Sequence, residues 1–261
     1  MLKDAIGSMF SAFRKIFTHW GATLISFILY AVLIAVLYFL ITTREATTLQ
    51  VVLSVAVLPI AALIVFFVMQ ALGLSFVRIG VGPVYLLKRA FKDCWKLMVI
   101  SIPVIVIAGL VIHYAGRLEV YLTSDYYKTG SHLKLSVFTW ARAIVLYFML
   151  PLIAVQLWIS TMREGIATAL RGFLRSLIRA FSPASVLIYA TVSLVFGAIA
   201  WLLLFTKTAV ASPWVELWLL GSRLAVALLV IFLGWQLILG SMAEMTTARA
   251  LKDDLSDISQ S

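Results

Sequence analysis

Hydrophobic residues in this sequence are gathered into six long runs, which are separated by shorter polar segments. The runs cover residues 21–42, 51–76, 97–114, 137–161, 184–205 and 214–241. A helix needs about 20 mostly apolar residues to cross the hydrocarbon core of a bilayer. Because the apolar residues are continuous within each run, and do not alternate with polar ones as in a barrel strand, we predict six transmembrane helices.

Three of the polar segments carry a helical periodicity of their own. They cover residues 6–20, 84–98 and 166–181, directly before the first, third and fifth runs or overlapping their start. In each segment apolar residues recur at intervals of three and four, and basic residues fill the opposite positions. This pattern predicts amphipathic helices of the kind that lie in the membrane interface. We expect lipid headgroups to contact the basic residues Lys88, Arg89, Lys92, Arg171, Arg175 and Arg179.

The sequence also contains an internal repeat. A glutamine precedes a glutamate by eight residues at Gln156 and Glu164, and again at Gln236 and Glu244. The second run carries Gln70 at the corresponding place. We therefore predict an all-α polytopic membrane bundle of three repeats, each consisting of an amphipathic helix and a two-span hairpin. The repeats cover about 1–80, 81–163 and 164–251 of a single membrane domain, 1–261, with an acidic tail at 252–261.

Composition supports a membrane protein and excludes most other classes. Hydrophobic residues make up 63% of the chain and the mean hydropathy is +1.08, whereas soluble domains contain about 45–50% apolar residues. A soluble enzyme or a disordered chain is excluded. The three histidines and 11 acidic residues form no metal-binding or catalytic motif. We expect neither enzymatic activity nor a metal or cofactor.

The basic residues predict the orientation in the membrane. Fourteen of the 21 Lys and Arg residues fall at the N-terminus, at the C-terminus or in the even-numbered linkers. Cytoplasmic segments are enriched in these residues. We therefore expect a multi-pass protein of the inner (cytoplasmic) membrane with both termini in the cytoplasm, and the longest outer loop at about 116–136.

Two arginines lie within the predicted spans. Arg142 and Arg223 occupy matching depths in the outer halves of the fourth and sixth spans, and Glu216 lies seven residues before Arg223. Glu216 is able to pair with Arg223 on its own helix face or with Arg142 on another helix. The arginines either line a polar outer vestibule or extend to the outer headgroups.

The three glutamines have two interpretations. Gln70, Gln156 and Gln236 stand at equivalent repeat positions, so they could ring a polar axis between the repeats. Alternatively, each forms hydrogen bonds between neighbouring helices, which stabilise membrane bundles by about 0.6–2 kcal/mol each.

One stretch resembles a known family. Leu150-Pro151-Leu152, then Gly165 and the basic helix from Ala169-Leu170-Arg171 to Arg179, followed by a further span, is similar to six-span bacterial membrane proteins related to the membrane domain of glycerophosphodiester phosphodiesterases. The resemblance covers about 145–205, and less clearly 75–110. It implies a helical membrane module. No phosphodiesterase catalytic domain is present, so no catalytic residues carry over.

The sequence as a whole favours an accessory, scaffold or lipid-interacting membrane module. Expected partners are the lipid bilayer, anionic lipids in particular, and a membrane protein. Nucleic acid is not expected, because the positive charge adjoins the spans and belongs to no nucleic-acid-binding motif. The alternative is a small-solute or ion transporter or channel with a polar path between the repeats.

Overall fold

The described part of the protein is helical almost throughout. A computed structural model describes residues 2–44, 46–79, 82–130, 132–206 and 212–258, and no strand occurs among them. The predicted all-α class is confirmed. Lys207 and the last residues of the predicted acidic tail, 259–261, lie outside the described residues. The helices are α1 (Leu2–Thr18), α2 (Trp20–Thr42), α3 (Thr48–Val52), α4 (Leu58–Ile79), α5 (Pro83–Thr129), α6 (Leu133–Ile144), α7 (Leu150–Glu164), α8 (Ile166–Arg171), α9 (Phe173–Ala180), α10 (Pro183–Phe205) and α11 (Pro213–Ile258).

Six helical stretches among the described residues are long and apolar enough to cross a membrane. They are Trp20–Thr42, Thr48–Ser75, Pro83–Tyr127, Leu133–Glu164, Pro183–Phe205 and Pro213–Thr247. Each overlaps one of the six predicted runs. The chain is therefore a multi-pass membrane protein, as the sequence predicted.

Two of these stretches contain a π-helical turn that ends two residues before a proline. Leu53–Val57 precedes Pro59, and Val145–Met149 precedes Pro151 at the same spacing. A proline lacks the N–H that bonds the carbonyl four residues earlier, and its ring collides with that carbonyl. A wider π turn moves the carbonyl aside. The helix therefore continues through both prolines instead of ending there.

Helix α5 differs from the sequence prediction in two ways. It contains 47 residues and is about 70 Å long at 1.5 Å per residue, which exceeds the thickness of a bilayer with its headgroups. The second amphipathic segment is thus continuous with the third span and is not a separate interfacial helix. The predicted outer loop at 116–136 is mostly helix as well. The chain reverses only near Gly130, which has a φ of +70°.

The chain forms two compact units. The first unit consists of Met1–Trp95 and Pro183–Ser261, and the second of Lys96–Ser182. In the first unit α4 packs against α2 and α11, α10 packs against α11, and α1 packs against both α10 and α11. In the second unit α7 packs against α8 and α9. The borders of the units fall inside predicted repeats, and the threefold repeat stays a prediction.

The core of the first unit lies towards one end of its long helices. Residues 67–75 of α4 and 236–242 of α11 are almost all buried. Nearer the middle of α11, Phe232 stacks with Tyr30 of α2, with 5.2 Å between the ring centroids. We call this end of the first unit the basic end, because the basic helix α1 and the basic start of α5 adjoin it.

Candidate membrane-interface site

Helices α8 and α9 present a face of small residues to α7. Ala169, Ser176 and Ala180 are buried on this face. The hydroxyl oxygens of Ser176 and Ser160 of α7 lie 3.1 Å apart and share a hydrogen bond. Small side chains allow helices in a membrane to approach closely. This face therefore holds the amphipathic segment against the end of the fourth span.

A second face of the same segment is apolar and uncovered. Leu170, Leu174 and Ile178 follow one another at four-residue intervals, so they form one stripe along the helix. Leu174 and Ile178 are 72% and 74% exposed. The apolar residues predicted for this helix thus divide between packing against α7 and facing outward. An uncovered stripe of this kind fits a helix that contacts lipid.

The basic face adjoins the apolar stripe. Arg171, Arg175 and Arg179 each follow one residue after a member of the stripe. The guanidinium of Arg179 lies 4.0 Å from the carboxylate of Glu164 at the end of α7. Arg171 and Arg175 are exposed. The three arginines of this segment that are predicted to bind headgroups therefore share one edge of it.

Helix α1 in the first unit also packs against its neighbours through one buried face. Ala5, Ala12 and Ile16 are buried on the face that packs against its neighbours. Glu244 of α11 forms an ion pair with Lys15 of α1. Glu244 thus anchors α1, as Glu164 contacts α9 in the second unit, and both glutamates stand eight residues after a glutamine.

The beginning of α5 carries the remaining predicted headgroup ligands. Lys88 and Lys92 are exposed, and Arg89 forms an ion pair with Asp93 at 3.6 Å. Phe91 and Trp95 are also exposed, next to the lysines. This part of α5 therefore combines uncovered aromatic and basic side chains, although it continues directly into a span.

Two of the three glutamines lie in one helix interface. Trp235 of α11 donates its indole N–H to Gln70 Oε1 of α4 at 2.7 Å. Gly73 lies about one turn further along α4. If this residue carried a Cβ, that atom would lie only 2.9 Å from Gln236 Oε1. The Nε2 atoms of Gln70 and Gln236 are buried and have no hydrogen-bond partner among the described residues. Gln156 is buried on α7, in the second unit.

A double substitution tests whether Gln70 joins the helices. We expect Gln70→Leu to lower the free energy of unfolding by about 1–2 kcal/mol, because the partly buried indole N–H of Trp235 loses its acceptor. Adding Trp235→Phe removes that donor too and should restore most of the loss. Thermal unfolding of the single and double variants in detergent measures both effects. Equal losses in all three variants would contradict this role.

The two arginines within spans have different partners. Arg142 forms an ion pair with Glu119 of α5 in the second unit. Arg223 of α11 donates to the carbonyl oxygen of Thr206, just after α10, at 2.6 Å. Glu216 is exposed at the start of α11. Arg142 is thus paired within its own unit, and Arg223 caps the end of a neighbouring helix.

Sequence reasoning missed the acidic residues that hold the α5–α6 hairpin. Glu119 pairs with Arg142, and Asp125 pairs with Lys134 at 3.0 Å. In the sequence each acid and its base stand at nearly equal distances on either side of Gly130. Opposite charges placed evenly around a turn are a signal for a hairpin, whereas the hydropathy pattern alone predicts a loop here.

No family model, no curated protein and no solved structure matches this chain. Its class therefore follows from its structure, which is that of a multi-pass helical membrane protein. The resemblance to the membrane domain of glycerophosphodiester phosphodiesterases stays a prediction.

Proposed function

We propose that this protein is a non-catalytic membrane module, an accessory or scaffold, which binds anionic lipids at the membrane surface. The basic end of its helices is assigned to the cytoplasmic side of the inner membrane. The positive charge that adjoins the spans at this end supports the assignment. Anionic headgroups are the partners that such a surface attracts, and a membrane-protein partner is compatible with it.

The observation that carries the proposal is the arrangement of faces on α8 and α9. One face packs on α7, which fixes the direction of the other two. The apolar stripe through Leu174 and the arginine stripe through Arg175 then lie side by side and uncovered. An apolar stripe beside a basic one matches the boundary between acyl chains and headgroups. Each basic side chain near an anionic surface contributes about 1 kcal/mol.

Removing two arginines tests the proposal. We expect Arg171→Gln with Arg175→Gln to weaken retention of phosphatidylglycerol about tenfold or more, since two favourable charges are lost. Arg179 is kept because it lies near Glu164. The measurement is native mass spectrometry of the protein released from nanodiscs of phosphatidylglycerol and phosphatidylcholine, with the retained lipids counted by class.

The matched control removes the same charge elsewhere. Arg44 and Arg117 are exposed on the predicted outer side, so Arg44→Gln with Arg117→Gln should leave retention unchanged. If both double variants retain as much phosphatidylglycerol as the wild type, or lose it equally, the arginines of α8 and α9 do not bind lipid and the proposal is wrong.

A transporter is the second candidate function. It is favoured by the buried Nε2 atoms of Gln70 and Gln236, which have no acceptor among the described residues. However, Gln236 Oε1 would lie only 2.9 Å from a Cβ added at Gly73, so this side chain packs against the backbone of α4. The contact between Gln70 and Trp235 fits helix association instead. The lipid-binding module is therefore the better supported proposal.

A further inference from the structure

Helix α1 has an uncovered face that is unusually aromatic. The residues on this face recur at intervals of four, three and four, so they lie on one side of the helix. Phe10 is 71% exposed, and the rings of Phe13 and Phe17 are 4.7 Å apart. The full face consists of Ile6, Phe10, Phe13 and Phe17, all of them exposed. Water is a poor environment for so large a group of neighbouring apolar side chains.

This face continues directly into the exposed apolar surface of α2. The ring of Phe17 lies 6.1 Å from that of Trp20, which is exposed at the start of α2. Leu24 and Ile28 follow at four-residue intervals and are exposed too. Because α2 is long and apolar enough to cross the membrane, we expect its exposed side chains to face acyl chains. The same lipid phase is therefore within reach of the face on α1.

The polar side of α1 differs from that of α8 and α9. Lys15 is paired with Glu244, so its charge is compensated within the protein. Arg14 is exposed, and Ser8, Ser11 and Thr18 occupy much of the remaining polar side. Helices α8 and α9 instead carry three arginines. Attraction to lipid charge is thus weaker at α1, whereas the apolar area available for burial is larger.

The orientation of α1 leaves its aromatic face free for lipid. The buried Ala5, Ala12 and Ile16 are directed to α10 and α11, and the hydroxyl of Ser11 donates to Glu244 at 3.1 Å. These contacts fix the rotation of the helix. The phenylalanine face consequently points away from the helices that hold α1.

We infer that α1 is a hydrophobic insertion element, which buries its phenylalanine face among acyl chains just below the headgroups. Its ligand is the apolar boundary of the bilayer, and its insertion does not require anionic headgroups. Helices of this type are buried about 5–10 Å into that boundary. The inference adds a second surface, and a different lipid property, to the proposed function. Either can fail without the other.

A fluorescent label on α1 tests the inference in the full chain. The native Cys94 is first replaced by alanine. An environment-sensitive dye is then attached at Phe10→Cys on the aromatic face or, as a matched control, at Thr18→Cys on the polar side of the same helix. In proteoliposomes of phosphatidylcholine alone, we expect aqueous iodide to quench the dye at position 10 about threefold or more weakly than at position 18. Lipids with a nitroxide high on the acyl chain should quench position 10 more strongly.

Three results would overturn the inference. Equal quenching by iodide at the two positions would place the aromatic face in water. Protection from iodide without quenching by nitroxide lipids would mean that protein covers the face. If the dye were protected from iodide only in the presence of anionic lipid, charge and not the apolar face would drive the binding. If the Phe10 variant folds poorly, Phe13→Cys serves as a second probe of the same face. Introducing Arg171→Gln and Arg175→Gln into the labelled protein should leave the quenching by iodide and by nitroxide lipids unchanged.

Discussion

Replacing Gly234 by alanine is expected to destabilise the first unit strongly. Gly234 of α11 faces Phe196 of α10, and an added Cβ would lie 2.8 Å from the Cβ of that phenylalanine. A Cβ is fixed to the backbone, so the two helices have to move apart. Overpacking of this kind costs about 1–3 kcal/mol. We expect a clear decrease in the midpoint of thermal unfolding, measured by circular dichroism in detergent.

The same substitution at Gly221 is the matched control. Gly221 lies on α11 as well, but a Cβ there would meet nothing within 4 Å. Alanine favours helix over glycine, so Gly221→Ala should leave the midpoint unchanged or raise it slightly. Equal decreases for the two variants would show that the distance to Phe196 does not limit the packing of α10 and α11.

Replacing Glu244 by glutamine is expected to loosen α1. The carboxylate is largely buried, forms an ion pair with Lys15 and accepts a hydrogen bond from Ser11. Hydrogen bonds to charged groups contribute about 1.5–3 kcal/mol, and glutamine removes the charge. A cysteine introduced at the buried Ala12, in a Cys94→Ala background, reports local opening of the helix. We expect its labelling by maleimide to become about tenfold faster or more, since about 1.4 kcal/mol corresponds to a factor of ten.

Glu164 provides the control for this experiment. It stands at the equivalent position of the predicted repeat and contacts Arg179 in the second unit. Glu164→Gln should therefore leave the labelling of residue 12 unchanged. Exchanging the charges with Lys15→Glu and Glu244→Lys should restore slow labelling. Fast labelling in the exchanged variant would show that the pair does not hold α1 in place.

The sequence predicted the spans well because their physical cause is local. A run such as 21–42 is apolar at nearly every position, so its own composition predicts that it crosses a membrane. The ends of helices were harder to predict. Polar residues such as Glu119 end an apolar run but do not end a helix, and α5 therefore extends to Thr129 through the segment that the sequence predicted as a loop.

For the candidate site, the sequence predicted which basic residues belong to the amphipathic helix but not which of its faces packs against the protein. Periodicity placed Arg171 and Arg175 on one side of a helix, because three- and four-residue spacing is a property of the chain alone. It did not separate the apolar residues that face α7 from those that face outward. That division follows from the direction of Ser176 and Ala180, which depends on the helix against which they pack.

By itself, the sequence determined that this is a membrane protein with six spans and a strongly basic end, since hydropathy and charge act residue by residue. Only the tertiary structure decided which polar groups meet. Trp235 bonds Gln70 across 165 positions of sequence, and Glu244 reaches back to Ser11 across 233. Such pairs form because buried polar groups need partners wherever packing brings two helices together, and helix packing is not encoded by spacing along the chain.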